Sequence, residues 1–160
     1  MTELPADLRA GCRRAQLIGV ALVLSIAVYA YVLRLIAAQH APFIGFAPSI
    51  DLRLLRVGFA LLAVADLTML RFVTPRMLAV SRSRSGTTPG GSSAVTQGLL
   101  SVSIVRLAIC EAVALLGVVL FLLGGRWADF SGFAIASLAA FAFNFPRLSQ
   151  WEDWMRQLPA

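Results

Sequence analysis

The chain has 160 residues, 59% of them hydrophobic and 14% charged, against about 25% charged in an ordinary soluble domain. With a mean hydropathy of +0.81, this excludes a disordered chain, a collagen-like chain and a typical soluble enzyme; two cysteines, Cys12 and Cys110, exclude a disulfide-stapled secreted domain. All 14 basic residues are Arg and the net charge is +6, but no water-facing basic stripe interleaved with aromatics accompanies them, so nucleic acid is excluded and the arginines are read as topology signals and lipid-headgroup contacts.

A helix needs about 20 mostly apolar residues to cross a hydrocarbon core about 30 Å thick. The first candidate is 17–38, LIGVALVLSIAVYAYVLRLIAA. Its apolar run is longer than a signal-peptide core and no small-residue cleavage site follows it, so it is read as a retained span. The connection 39–53, QHAPFIGFAPSIDLR, breaks helix at Pro42 and Pro48. Its Phe43, Ile44 and Phe46 want an apolar surface, which places it in the outer interface or as a cap on the bundle. The second span is 54–73. The segment 81–98, SRSRSGTTPGGSSAVTQG, has the composition of a flexible cytoplasmic linker.

The third span is 99–123. The turn Gly124-Gly125-Arg126-Trp127-Ala128-Asp129 is short enough to make the third and fourth helices antiparallel neighbours, with Trp127 at headgroup level. The fourth span is 130–146. After it, Leu148, Trp151, Met155 and Leu158 recur at helical spacing among polar residues, the pattern of an interfacial helix or of a docking helix for a partner subunit. The expected fold is therefore all-α, one domain over 1–160: a membrane bundle of four transmembrane helices with an interfacial C-terminal helix.

Arginines crowd the N-terminal tail (Arg9, Arg13, Arg14), the middle connection (Arg76, Arg82, Arg84) and the C-terminal tail (Arg147, Arg156). The positive-inside rule then puts both termini and the middle connection in the cytoplasm, of a bacterial inner membrane in the simplest reading.

Ionisable groups inside spans are costly, so each needs an explanation. Asp66, Arg71, Arg106 and Glu111 are the four; Arg34 and Arg56 lie near outer helix ends and can snorkel. At about 1.5 Å rise per residue Glu111 falls near the midplane, with Asp66 and Arg106 at similar depth toward the cytoplasm. Within one helix, residues five apart point about 140° away from each other, so pairing across helices is expected, Asp66 with Arg106. Glu111 is then left over, and desolvation favours its neutral form.

The run 106–117, RLAICEAVALLG, resembles the C-terminal helix of the proteolipid c subunit of rotary ATP synthases, where a mid-membrane carboxylate followed by Ala begins an apolar run. The resemblance implies that Glu111 is a proton-carrying carboxylate. The chain also has the look of a small bacterial four-span membrane protein.

On the fourth helix Gly132, Ala136, Ala140 and Asn144 form a small-residue stripe suited to helix packing, while Phe133, Phe141 and Phe145 face lipid or a partner. No nucleotide-loop, zinc-protease or nucleophile-elbow motif occurs, and the single histidine, His40, has no second ligand. No enzyme activity, cofactor or metal is expected. Two functions stand: a non-catalytic accessory or structural subunit of a larger membrane complex, in contact with lipids and other subunits or copies of itself, or a proton- or cation-translocating unit using Glu111.

Overall fold

The computed structural model describes residues 6–47, 51–85, 91–149 and 151, with side chains outside 6 and 71–95. Among them the secondary structure is all helical: α1 Ala6–Gln39, α2 Leu52–Ser85, α3 Gly91–Gly124 and α4 Trp127–Asn144. α1 and α3 are long and apolar enough to cross a membrane, the windows lying in Asp7–Gln39 and Thr96–Gly124; among the described residues α2 and α4 do not reach that mark.

α3 is the central helix. α1, α2 and α4 all pack on it, and α1 touches α4 only slightly. The main core lies along α3, with Leu107, Cys110, Ala114 and Phe121 fully buried against Leu33 of α1, Leu70 of α2 and Phe141 of α4. α4 comes close at Gly117, where a Cβ would meet the Phe133 Cβ at 2.7 Å and the Phe130 carbonyl at 3.2 Å. The outward faces are apolar: Leu24 and Val28 of α1 and Leu54 and Leu61 of α2 are exposed. Water would oppose so much contiguous apolar surface.

The three long helices have 34 residues each, about 51 Å of rise and well beyond a bilayer core. α4 has 18 residues, about 27 Å, close to that thickness. At the C-terminal end of α4, α1 and α3 continue past it. There Leu8, Cys12 and Ala15 of α1, Leu99 of α3 and Trp151 form a second buried cluster.

That cluster corrects two sequence expectations. The linker assigned to 81–98 is helical over 81–85 and 91–98, leaving only 86–90 outside the described residues. Its composition favours coil, but tertiary contacts can outweigh propensity, and at its C-terminal end Thr96 abuts Gly11 and the next helical turn buries Leu99 against α1. Trp151, assigned to an interfacial or partner-docking helix, is 1% exposed and packs inside this chain. Gly11 makes room for it, since a Cβ there would meet the indole at 3.2 Å. Met155 and Leu158 lie outside the described residues. Trp151→Ala should empty this site at a cost of about 3–5 kcal/mol. A thiol reagent should then label Cys12, buried in the native cluster, much faster than in the parent, while buried Cys110 of the main core is unchanged; equal Cys12 rates would contradict this.

The end of the bundle where α1 and α3 finish is closed by the α1–α2 connection. The Phe46 and Ala47 amides donate to the Leu122 and Leu123 carbonyls at 2.8 and 3.2 Å, and the Gly125 amide to Phe121 at 2.7 Å. Carbonyls in the last turn of a helix have no partner of their own, so the connection is a cap for α3. Gly45, at φ 90°, and Gly125, at φ 67°, let the two chains meet backbone to backbone. Phe43 stacks on Phe121 at 5.4 Å, Phe121 lies 4.6 Å from Trp127, and Arg34 sits 6.0 Å above the Trp127 ring. Asp51 accepts from the Arg53 amide at 2.9 Å and caps the start of α2.

Candidate functional site

Glu111 stands half-buried on α3 facing α1. Two hydroxyls spaced one helical turn apart on α1, Ser25 and Tyr29, present themselves on one face. Both donate to the same carboxyl oxygen Oε1, at 2.5 and 2.7 Å. Ser25 Oγ also lies 2.6 Å from the Leu22 carbonyl, so its single proton stands between two acceptors. The arrangement ties α1 to α3 through an acidic side chain and carries a hydrogen-bonded chain from Tyr29 to the α1 backbone.

Arg106 lies about 7 Å along α3 toward its N-terminus. The sequence reading pairs it with Asp66; the structure brings it to Asn144, whose Oδ1 accepts from Nη2 at 2.7 Å, while Asn144 Nδ2 donates to the Ala140 carbonyl at 2.9 Å. The reason is electrostatic as well as steric. Arg106 sits at the C-terminus of α4, where the helix dipole favours a cation. Its Nε is buried with no hydrogen-bond partner. Nearby, Gln16 Nε2 donates to the Pro146 carbonyl at 3.2 Å and fixes α1 at this level.

The other end of α4 carries the opposite charge. Asp129, in its first turn, takes Arg56 Nη2 of α2 at 2.8 Å, and this is the only ion pair among the described residues. Arg56 is therefore tied to α4 rather than snorkelling free. α4 thus has a carboxylate at its N-terminus and a guanidinium at its C-terminus, both the favourable sign. The pair is 29% and 13% exposed, so its coupling in an Arg56→Met, Asp129→Leu double-mutant cycle should be between about 1 and 3 kcal/mol, below that of a sealed pair. Thermal unfolding in detergent measures it; additive single effects would contradict the pairing.

Asp66 is half-buried on α2 and has no polar partner among the described residues. It lies about 15 Å along α2 from Arg56. The α2 backbone runs through Arg71, but that side chain lies outside the described ones.

The small-residue stripe divides. Ala140 is buried and Asn144 holds Arg106, but Gly132 and Ala136 are exposed, with nothing within 4 Å of a Gly132 Cβ. They line an open groove of about 410 Å³ between α2 and α4, with Ala60, Ala63 and Leu67 opposite and the Arg56–Asp129 pair at its outer end. α4 instead turns Phe130, Ala134, Ser137, Ala140 and Phe141 inward, and Ser137 donates to the Cys110 carbonyl at 2.6 Å. Phe141 is accordingly 2% exposed, not lipid-facing; Phe133 meets Gly117 and Phe145 meets Gly19.

Three functional contacts were missed by sequence reasoning: Ser25 and Tyr29 on Glu111, and Asp129 on Arg56. The first had a signal, two hydroxyls four residues apart in an apolar span. No group of three or more His, Cys, Asp or Glu residues among the described ones could hold a metal ion. Comparison with protein-family models, with curated proteins and with solved structures gave no match to this chain.

Proposed function

We propose that this chain is a four-span integral membrane protein, both termini cytoplasmic, acting as a non-catalytic accessory or structural subunit of a larger membrane complex. The observation that carries the reading is how the charged groups at bilayer depth are used. Glu111 is spent on α1, Arg106 on α4 and Arg56 on α4, so three of them cross-brace helices instead of lining a path. That α2 and α4 also span is supported by the exposed Leu54, Leu61 and Ile135 side chains and by an α4 length near bilayer thickness. The arginine distribution supports the orientation. Purifying the full chain from its native membrane in mild detergent tests the role: a complex of defined mass with other membrane subunits is expected, and a chain that runs alone contradicts it.

A second reading, proton or cation translocation through Glu111, is favoured by one observation. The Tyr29–Glu111–Ser25–Leu22 chain offers a single carboxyl oxygen to two hydroxyls, one of them shared with a backbone carbonyl. The resemblance of 106–117 to the rotary proteolipid helix supports the same reading.

A further inference from the structure

We propose that the groove between α2 and α4 holds one acyl chain of a phospholipid whose headgroup carries a primary ammonium, with that headgroup seated on the Arg56–Asp129 pair. The inference rests on the four-span reading and names a lipid for it. The shape of the groove fits the chain. Its walls are small side chains, Ala60 and Ala63 on α2 and Gly132 and Ala136 on α4, and its volume is about 410 Å³. The lining on α2 runs from Arg56 to Leu67, about 16 Å of rise. A hydrocarbon core about 30 Å thick gives each leaflet about 15 Å, so the groove has the length of one leaflet's acyl chain. Apolar walls that open sideways onto a bilayer are covered by the chains beside them.

The polar end selects the head. Arg56 and Asp129 line the groove near the starts of α2 and α4, the level at which spanning helices meet headgroups. Their salt bridge joins Arg56 Nη2 to Asp129 Oδ2. It leaves Arg56 Nε buried without an acceptor, and Asp129 Oδ1 takes no hydrogen bond among the described residues. A guanidinium has five N–H donors and a carboxylate two accepting oxygens, so the pair still has donors for a phosphate and an acceptor for an ammonium. The two side chains are 29% and 13% exposed, within reach of a head. Charge complementarity then names the class. The pair is neutral overall and carries both signs, as a zwitterionic head does. A net anionic head would set its charge beside the Asp129 carboxylate with no cation to give in return. A quaternary ammonium has no N–H for Asp129.

The test is native mass spectrometry of the full chain in mild detergent, with phosphatidylethanolamine, phosphatidylglycerol and phosphatidylcholine of identical acyl chains supplied in equal amounts. One phosphatidylethanolamine per chain should be retained, about ten-fold in preference to either of the others. Ala136→Leu fills the groove and should lower that retention about ten-fold. Ala142→Leu, exposed on α4 outside the groove, should leave it unchanged. Arg56→Gln and Asp129→Asn should each abolish the headgroup preference. Ala136 is exposed on the open groove, so its variant decides the outcome even if a charge variant fails to fold. Equal retention of the three lipids, or retention unchanged in Ala136→Leu, overturns the proposal. So does a second copy of the chain, or an amphiphile that is not a phospholipid, held by the parent and lost in Ala136→Leu. The four-span reading survives each of these results. A chain that stays dispersed without detergent and retains no lipid removes both.

Discussion

Gly45→Ala is expected to be strongly destabilising. A Cβ at Gly45 would fall on the Leu123 carbonyl, which is backbone and has nowhere to go, and φ there is 90°. The unfavourable backbone costs about 1–2 kcal/mol. Displacing the connection also breaks the Phe46 and Ala47 bonds to α3, about 1 kcal/mol each, for a total on the order of 3–4 kcal/mol. Gly125→Ala should act in the same way, since its Cβ would lie 2.8 Å from the Phe43 carbonyl oxygen at φ 67°. Gly58→Ala and Gly132→Ala are the controls. Neither Cβ meets anything within 4 Å, and removing helical glycine should stabilise by about 0.5–1 kcal/mol. Loss of helical circular dichroism as SDS is titrated into mixed micelles ranks the four. Gly45→Ala behaving like Gly132→Ala would contradict the cap.

Glu111→Leu is the second large effect. It leaves Tyr29 without its acceptor, whereas Ser25 keeps the Leu22 carbonyl. The orphaned phenol and the lost α1–α3 bonds should cost about 2–4 kcal/mol. Glu111→Gln retains a carbonyl oxygen for both hydroxyls and should cost less than about 1 kcal/mol. Adding Tyr29→Phe to Glu111→Leu removes the orphan and should recover part of the loss. The same SDS titration reads all three. If Gln is as damaging as Leu, the negative charge itself holds the bundle, and the hydrogen-bond account of this site fails.

The helical class and the position of α1 and α3 were legible because a long apolar run with helix breakers at its ends leaves few alternatives. Gly124-Gly125 and Pro42 mark those ends in the sequence. The N-terminal part of α3 was not legible. Ser, Thr and Gly over 91–98 read as coil, and only Leu99, Cys12 and Trp151 meeting in space show why that stretch is helical. The partner of Arg106 was not legible either. Counting along the two apolar runs set Arg106 beside Asp66; the structure instead brings its guanidinium to Asn144, the last residue of α4. A stripe of small residues identifies a face but not its neighbour. Gly132 and Ala136 therefore read as packing residues although α4 meets α3 through Ala134 and Ser137, and the glycine that admits the close approach is Gly117, on the other helix.

The central claim is that Glu111 braces the bundle and does not carry ions. The most direct measurement is proton flux into liposomes containing the purified chain alone, driven by a pH gradient, for the parent and for Glu111→Gln. The account expects both to match empty liposomes while both remain folded. A robust flux in the parent that disappears in Glu111→Gln would contradict it.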